Sequence, residues 1–80
     1  MAGDIKGWEY CTLEKGFIRR EAATYSLIRY SPSGSRTTRL EHYNQELGRL
    51  GAEGWEMAGA VHESWEEGSF ERLYFKRRLQ

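Results

Sequence analysis

The chain is short of the devices that hold small proteins together. Its one cysteine, Cys11, excludes a disulfide within the chain. Two histidines, His42 and His62, stand far apart, so a compact metal site lacks ligands and no cofactor is expected. No apolar run approaches the roughly 20 residues that a membrane-spanning helix requires. The polar stretch Ala2-Gly3-Asp4-Ile5-Lys6 carries no signal-peptide pattern. Net charge is zero, which argues against strong nonspecific nucleic-acid binding. Together with the lone cysteine, which suits a reducing interior, these absences predict a soluble cytoplasmic protein with no membrane association.

What is present is one domain's worth of chain, 80 residues. A chain of this size buries a modest fraction of its surface and commonly needs extra support. With disulfide and metal set aside, association between copies is the support left, so a homo-oligomer is expected. The charge is unevenly spread. Residues 1–40 hold seven Lys/Arg against four Asp/Glu, and residues 41–80 hold five against eight. A basic half and an acidic half are able to pair between subunits, although an ordinary mixed surface accounts for the same numbers.

Read along the chain, residues 1–7 form a loose lead-in. Trp8-Glu9-Tyr10-Cys11-Thr12-Leu13 reads as a strand, with Trp8, Tyr10 and Thr12 on one face and Cys11 and Leu13 on the other. Lys15-Gly16 suggests a bulge or bend, with Phe17-Ile18 beyond it. After a turn at Arg19-Arg20-Glu21-Ala22, residues Ala23 to Tyr30 read as a second strand. Residues 31–37, with the only proline, read as a flexible loop. Thr38-Arg39-Leu40-Glu41 fits a capping box that opens a helix, whose apolar stripe is Leu40, Tyr43, Leu47 and Leu50. Gly48 within that helix suggests close approach to a sheet, and Gly51 suits the left-handed position after its end. Trp55 to Val61 reads as a third strand, with Trp55, Met57 and Val61 alternating with smaller residues. Ser64 to Ser69 is a hairpin loop, and Phe70 to Arg77 is a fourth strand, in which Leu73, Phe75 and Leu79 alternate with Arg72, Tyr74 and Lys76. The expected fold class is α+β: a small antiparallel sheet of order β-β-α-β-β, with one amphipathic helix packed on one face.

One helix covers one face of such a sheet. Aromatic residues make up 14% of the chain, enough to furnish both faces, so the uncovered face is expected to carry an apolar patch that marks an interaction surface. Trp8, Tyr10, Trp55, Trp65 and Tyr74 are the expected contact residues. Trp65 has two readings: it folds back on its own sheet, or it anchors a partner.

Three stretches carry a resemblance. Trp8-Glu9-Tyr10, then Leu47 to Met57, then Tyr74-Phe75-Lys76-Arg77 resemble the small bacterial and phage family called domain of unknown function 4177. That family typically shows Trp-Glu-Tyr at its start, a Leu-Gly-x-Glu-Gly-Trp-Glu centre and a closing Phe-Lys-Arg. The stretch from Phe17 to Arg36 departs from it as a longer hairpin and loop. The resemblance implies a compact sheet-and-helix domain and no particular activity.

Candidate chemistry is sparse. Cys11 reads as a buried structural residue rather than a nucleophile, because no motif brings a base to it. His42 and Glu46 share a helix face, but no third ligand accompanies them. His62-Glu63 with Glu66-Glu67 reads as a charged turn. Gly48, Gly51 and Gly54 follow a helix and precede a strand, the reverse of a phosphate-binding loop. Arg19, Arg20, Arg29, Arg36 and Arg39 flank Tyr25 and Tyr30, and arginine forks with aromatic rings are the groups that grip phosphates and bases. The leading expectation is a non-enzymatic, self-associating interaction module. The alternative is a binder that sequesters an anionic, nucleotide-like small molecule, held by Arg19, Arg29, Arg36, Arg39, Tyr25 and Tyr30. An enzyme has the weakest support.

Overall fold

Five strands and one helix account for nearly all of the computed structural model, which describes residues 7–79; residues 1–6 of the expected lead-in lie outside it. In chain order they are β1 (Trp8–Ile18), β2 (Thr24–Ser31), β3 (Gly34–Leu40), α1 (Tyr43–Ala52), β4 (Glu56–Trp65) and β5 (Gly68–Arg78). The strands form one sheet, ordered β3-β2-β1-β5-β4, in which every neighbouring pair is antiparallel. The class is therefore α+β with an antiparallel sheet, and the element order is β-β-β-α-β-β.

The additional strand is the main correction. Residues 34–37 of the expected loop and residues 38–40 of the expected helix start are instead strand β3. Ser31-Pro32-Ser33-Gly34 makes a tight reversal in which Ser31 pairs with Gly34. The Ser31 hydroxyl donates to the Gly34 carbonyl at 3.3 Å, and Gly34 adopts a φ of 141° that a side chain would resist. Once that turn fixes the register, β-branched Thr37 and Thr38 continue it opposite Ile28 and Leu27. Thr38 is thus a strand residue, not a helix cap. The helix begins at Tyr43 with His42 at the N-cap position and no side-chain cap.

Period-2 alternation assigns the faces. Cys11 and Leu13 of β1, Leu27 of β2, and Leu73 and Phe75 of β5 point to the helix side, where they join Leu50 and Trp55 in the buried core. Leu40, Tyr43 and Leu47 pack against it. The apolar stripe read from the sequence is real, although Leu40 enters it from the end of β3.

The end of α1 is a Schellman motif. The Trp55 amide donates to the Leu50 carbonyl at 3.0 Å, and the Gly54 amide donates to the Gly51 carbonyl at 3.1 Å. Gly54, with φ 86°, is the left-handed residue; Gly51 is still helical. The motif drops Trp55 into the core beside Leu50. Gly48 does not approach the sheet: a Cβ there would meet nothing within 4 Å.

Two irregularities were misplaced by the pattern. Gly16 is no bulge, since β1 pairs without interruption through it to Thr24 on one side and Phe70 on the other. The bulge lies in β4, where the register shifts between Met57 and Gly59. One extra residue reverses the facing of everything after it. Met57 lies opposite Phe75 on the helix side, whereas Val61 lies opposite Arg72 on the other side.

Candidate functional site

The face of the sheet away from α1 carries the most unusual surface. The same alternation that buries Cys11 and Leu13 turns Trp8, Tyr10, Thr12 and Glu14 outward from β1. Ile28 and Tyr30 come from β2, Phe70, Arg72, Tyr74, Lys76 and Arg78 from β5, and Val61, Glu63 and Trp65 from β4. Their alignment follows from the register. Ser35, Tyr30, Tyr10, Lys76 and Glu56 form one row across all five strands, and Thr37, Ile28, Thr12, Tyr74 and Gly59 form the next. Among the described residues, no helix covers these rows. Tyr10 and Trp65 are about half exposed, at 52% and 51%, and Trp8, Tyr30, Val61 and Tyr74 are also exposed.

Cations are laid over this aromatic floor. The Lys76 ammonium sits 4.5 Å from the Trp8 ring centre, with the Arg78 guanidinium at 5.7 Å. Arg72 lies 5.1 Å from the Phe70 ring and 6.0 Å from the Tyr74 ring. Its Nε donates to Glu14 at 2.7 Å, and its NH1 donates to the Tyr74 hydroxyl at 3.4 Å. These bonds, Tyr74 first and Glu14 in addition, hold the Arg72 pKa above its ordinary value against the opposing effect of burial. At the centre of the face Thr12 is buried, and its hydroxyl shares a hydrogen bond with the Tyr30 hydroxyl at 3.3 Å. The long neighbouring side chains thus close over the short one.

Of the five expected contact residues, Trp8, Tyr10, Trp65 and Tyr74 lie on this open face. Trp55 does not. It is 6% exposed in the core, where Arg77 stacks at 4.4 Å and Arg29 at 5.9 Å from its ring. Arg77 also bonds Glu9 at 2.8 Å and the Glu53 carbonyl at 3.0 Å, tying β5 to β1 and to the helix end. Trp65 folds back toward its own sheet, where a Cβ added to Gly68, its cross-strand partner, would come within 3.1 Å of the ring, and half the side chain remains exposed.

The six expected ligand residues do not converge. Arg39 and Tyr30 belong to the open face, whereas Arg29, Arg36 and Tyr25 belong to the helix side. Tyr25 packs against Tyr43, ring centres 5.4 Å apart. Arg19 lies in the turn after β1, its amide bonded to the Glu67 carbonyl at 2.6 Å. Two of the six do meet. Arg29 and Arg36 are directly opposite each other across β2 and β3, and neither forms an ion pair with a carboxylate among the described residues. Like charges in that relation disfavour the pairing.

Cys11 is buried, and that burial pushes its thiol from 9.0 up to about 11 despite the nearby Arg29 and Arg77. Tyr43 is likewise shifted upward, first by burial and then by Glu71. Glu46, the expected partner of His42, is taken up by Arg49. The described residues contain no cluster of three metal-ligating side chains, and none of their helices is long and apolar enough to cross a membrane. A groove of about 380 Å³ runs between the end of β3 and the start of α1, lined by Arg39, Glu41, His42, Gln45 and Arg49 among others. It mixes both charge signs and is lined by no cysteine, serine or threonine.

No protein-family model matches the chain, and no curated protein matches it.

Proposed function

We propose that this protein is a non-enzymatic interaction module that self-associates in the cytoplasm through the open face of its sheet. The observation that carries this reading is the set of exposed aromatic side chains on a face that no helix covers among the described residues. Exposed apolar patches of this extent mark association surfaces, and tyrosine and tryptophan are the residues that dominate them. The small core gives the association a stabilising role. The test compares two faces of the same fold by light scattering. Tyr10→Glu, on the open face, is expected to give monomers. Met57→Glu, equally exposed at 53% but on the helix side, is expected to leave the assembly intact. Equal effects from both substitutions, or from neither, contradict the proposal.

One observation favours a second reading. Arg29 and Arg36 are directly opposed across β2 and β3 on the helix side, and a phosphate group bound by both would relieve the repulsion of like charges in that relation. On this reading inorganic phosphate raises the melting temperature more than chloride at equal ionic strength, and Arg36→Gln removes the difference. An identical response to both salts rules it out.

A further inference from the structure

The open face also specifies how two copies meet, given the self-association proposed above. Its strand order places β1 in the middle, with β3 and β4 at opposite edges. The two edge strands differ in the sign of the charge they bring to the face. The only ionisable side chain that β3 contributes there is Arg39, whereas β4 contributes Glu56 and Glu63 and no cation. Between the edges, Arg72, Lys76 and Arg78 lie on β5 and Glu14 on β1, with Arg72 and Glu14 paired to each other, and β2 brings no charge to this face.

Closed dimers are built on a two-fold axis. Two axes lying between the sheets bring these faces together with their strands aligned. An axis perpendicular to the strands sets each strand over its own copy, so that β5 cations oppose β5 cations and β4 carboxylates oppose β4 carboxylates. An axis parallel to the strands exchanges the edges. It sets β3 over β4, β2 over β5 and β1 over itself. Along the row through Tyr10, Tyr30 then faces Lys76 of the second copy, a cation above an aromatic ring. Along the next row, Ile28 faces Tyr74 of the second copy. Arg39 comes over Val61 of the second copy, one row from its Glu63. The two Glu14 carboxylates meet near the axis, each already bonded to its own Arg72.

The size of the face fits the same arrangement. Five strands about 4.8 Å apart, with about 3.3 Å per residue, give a face of about 700 Å². A stable interface takes about 800 Å² from each partner. Aligned sheet-on-sheet packing is also the usual way for two such faces to close a core.

We infer that the chain forms a face-to-face homodimer whose two-fold axis runs along β1, parallel to the strands, so that the basic β3 edge of each copy lies over the acidic β4 edge of the other. Short-range cross-linking tests the inference in a Cys11→Ala background. Packed sheets stand about 10 Å apart, within reach of a short bismaleimide. Tyr10→Cys, beside the axis, is expected to cross-link to itself. Val61→Cys is expected not to, because its copies stand at opposite edges, but a mixture of Val61→Cys and Arg39→Cys chains is expected to cross-link to each other. Self-linking of Val61→Cys in a species that light scattering shows to be a dimer overturns the axis while leaving self-association standing. A monomeric mass for the unmodified chain overturns both. Two independent edge positions keep the result readable if Tyr10→Cys weakens the assembly.

Discussion

Gly48 occupies the exposed surface of α1, with helical backbone and open space where a Cβ would stand. Glycine at such a position loses more chain entropy on folding than alanine and gains nothing in return. Gly48→Ala is therefore expected to stabilise the protein by about 0.5–1 kcal/mol, read as a higher denaturant midpoint with an unchanged slope. Cys11 gives a prediction of the opposite kind. Its folded thiol titrates at about 11 against 9.0 when exposed, so between those values the folded chain keeps a proton that the unfolded chain has lost. The contribution is fully present below pH 9.0 and falls as pH rises toward about 11. Denaturation at about pH 8 and about pH 10.5 is expected to show a steeper loss for the natural chain than for Cys11→Ala. Parallel losses would show that the thiol is not held in a dry core.

At the scale of elements, the facing of β1, β2 and β5 was legible because each strand alternates without interruption: Cys11 and Leu13 against Tyr10 and Thr12, Leu27 against Ile28, Leu73 and Phe75 against Tyr74. The fifth strand was not legible. Gly34-Ser35-Arg36-Thr37-Thr38-Arg39-Leu40 has no apolar alternation, because β3 is an exposed edge that packs nothing but Leu40. Its pairing comes from the Ser31–Gly34 turn and from β2, and neither leaves a hydrophobic trace in β3 itself. The competing capping-box pattern at Thr38 and Glu41 lost because Thr38 was already committed to a ladder with Leu27. The bulge near Ala58 was hidden for a related reason. Met57-Ala58-Gly59-Ala60 is a run of mostly small residues whose alternation is faint, so the inversion of Val61 leaves no mark in the pattern. The candidate site was half legible. Trp8, Tyr10 and Tyr74 fall on one face by simple parity, Trp65 joins them only through the β4 bulge, and Trp55 was read as the start of a strand when it closes a helix. The arginines were grouped by nearness in sequence, and the pleat sends Arg29 and Arg39 to opposite faces.

The whole molecule is a one-sided structure. Among the described residues, seven buried apolar side chains form the core where α1 meets the sheet, while the other sheet face presents Trp8, Tyr10, Tyr30, Trp65 and Tyr74 to solvent. In the proposed dimer, two such faces complete a core that a single copy leaves open, and the edge charges set which way round the copies sit. Sedimentation equilibrium of the natural chain tests this most directly. The account predicts a mass near twice the 9.4 kDa of one chain, reverting to one chain's mass in Tyr10→Glu; a 9.4 kDa species that persists as concentration rises would contradict it.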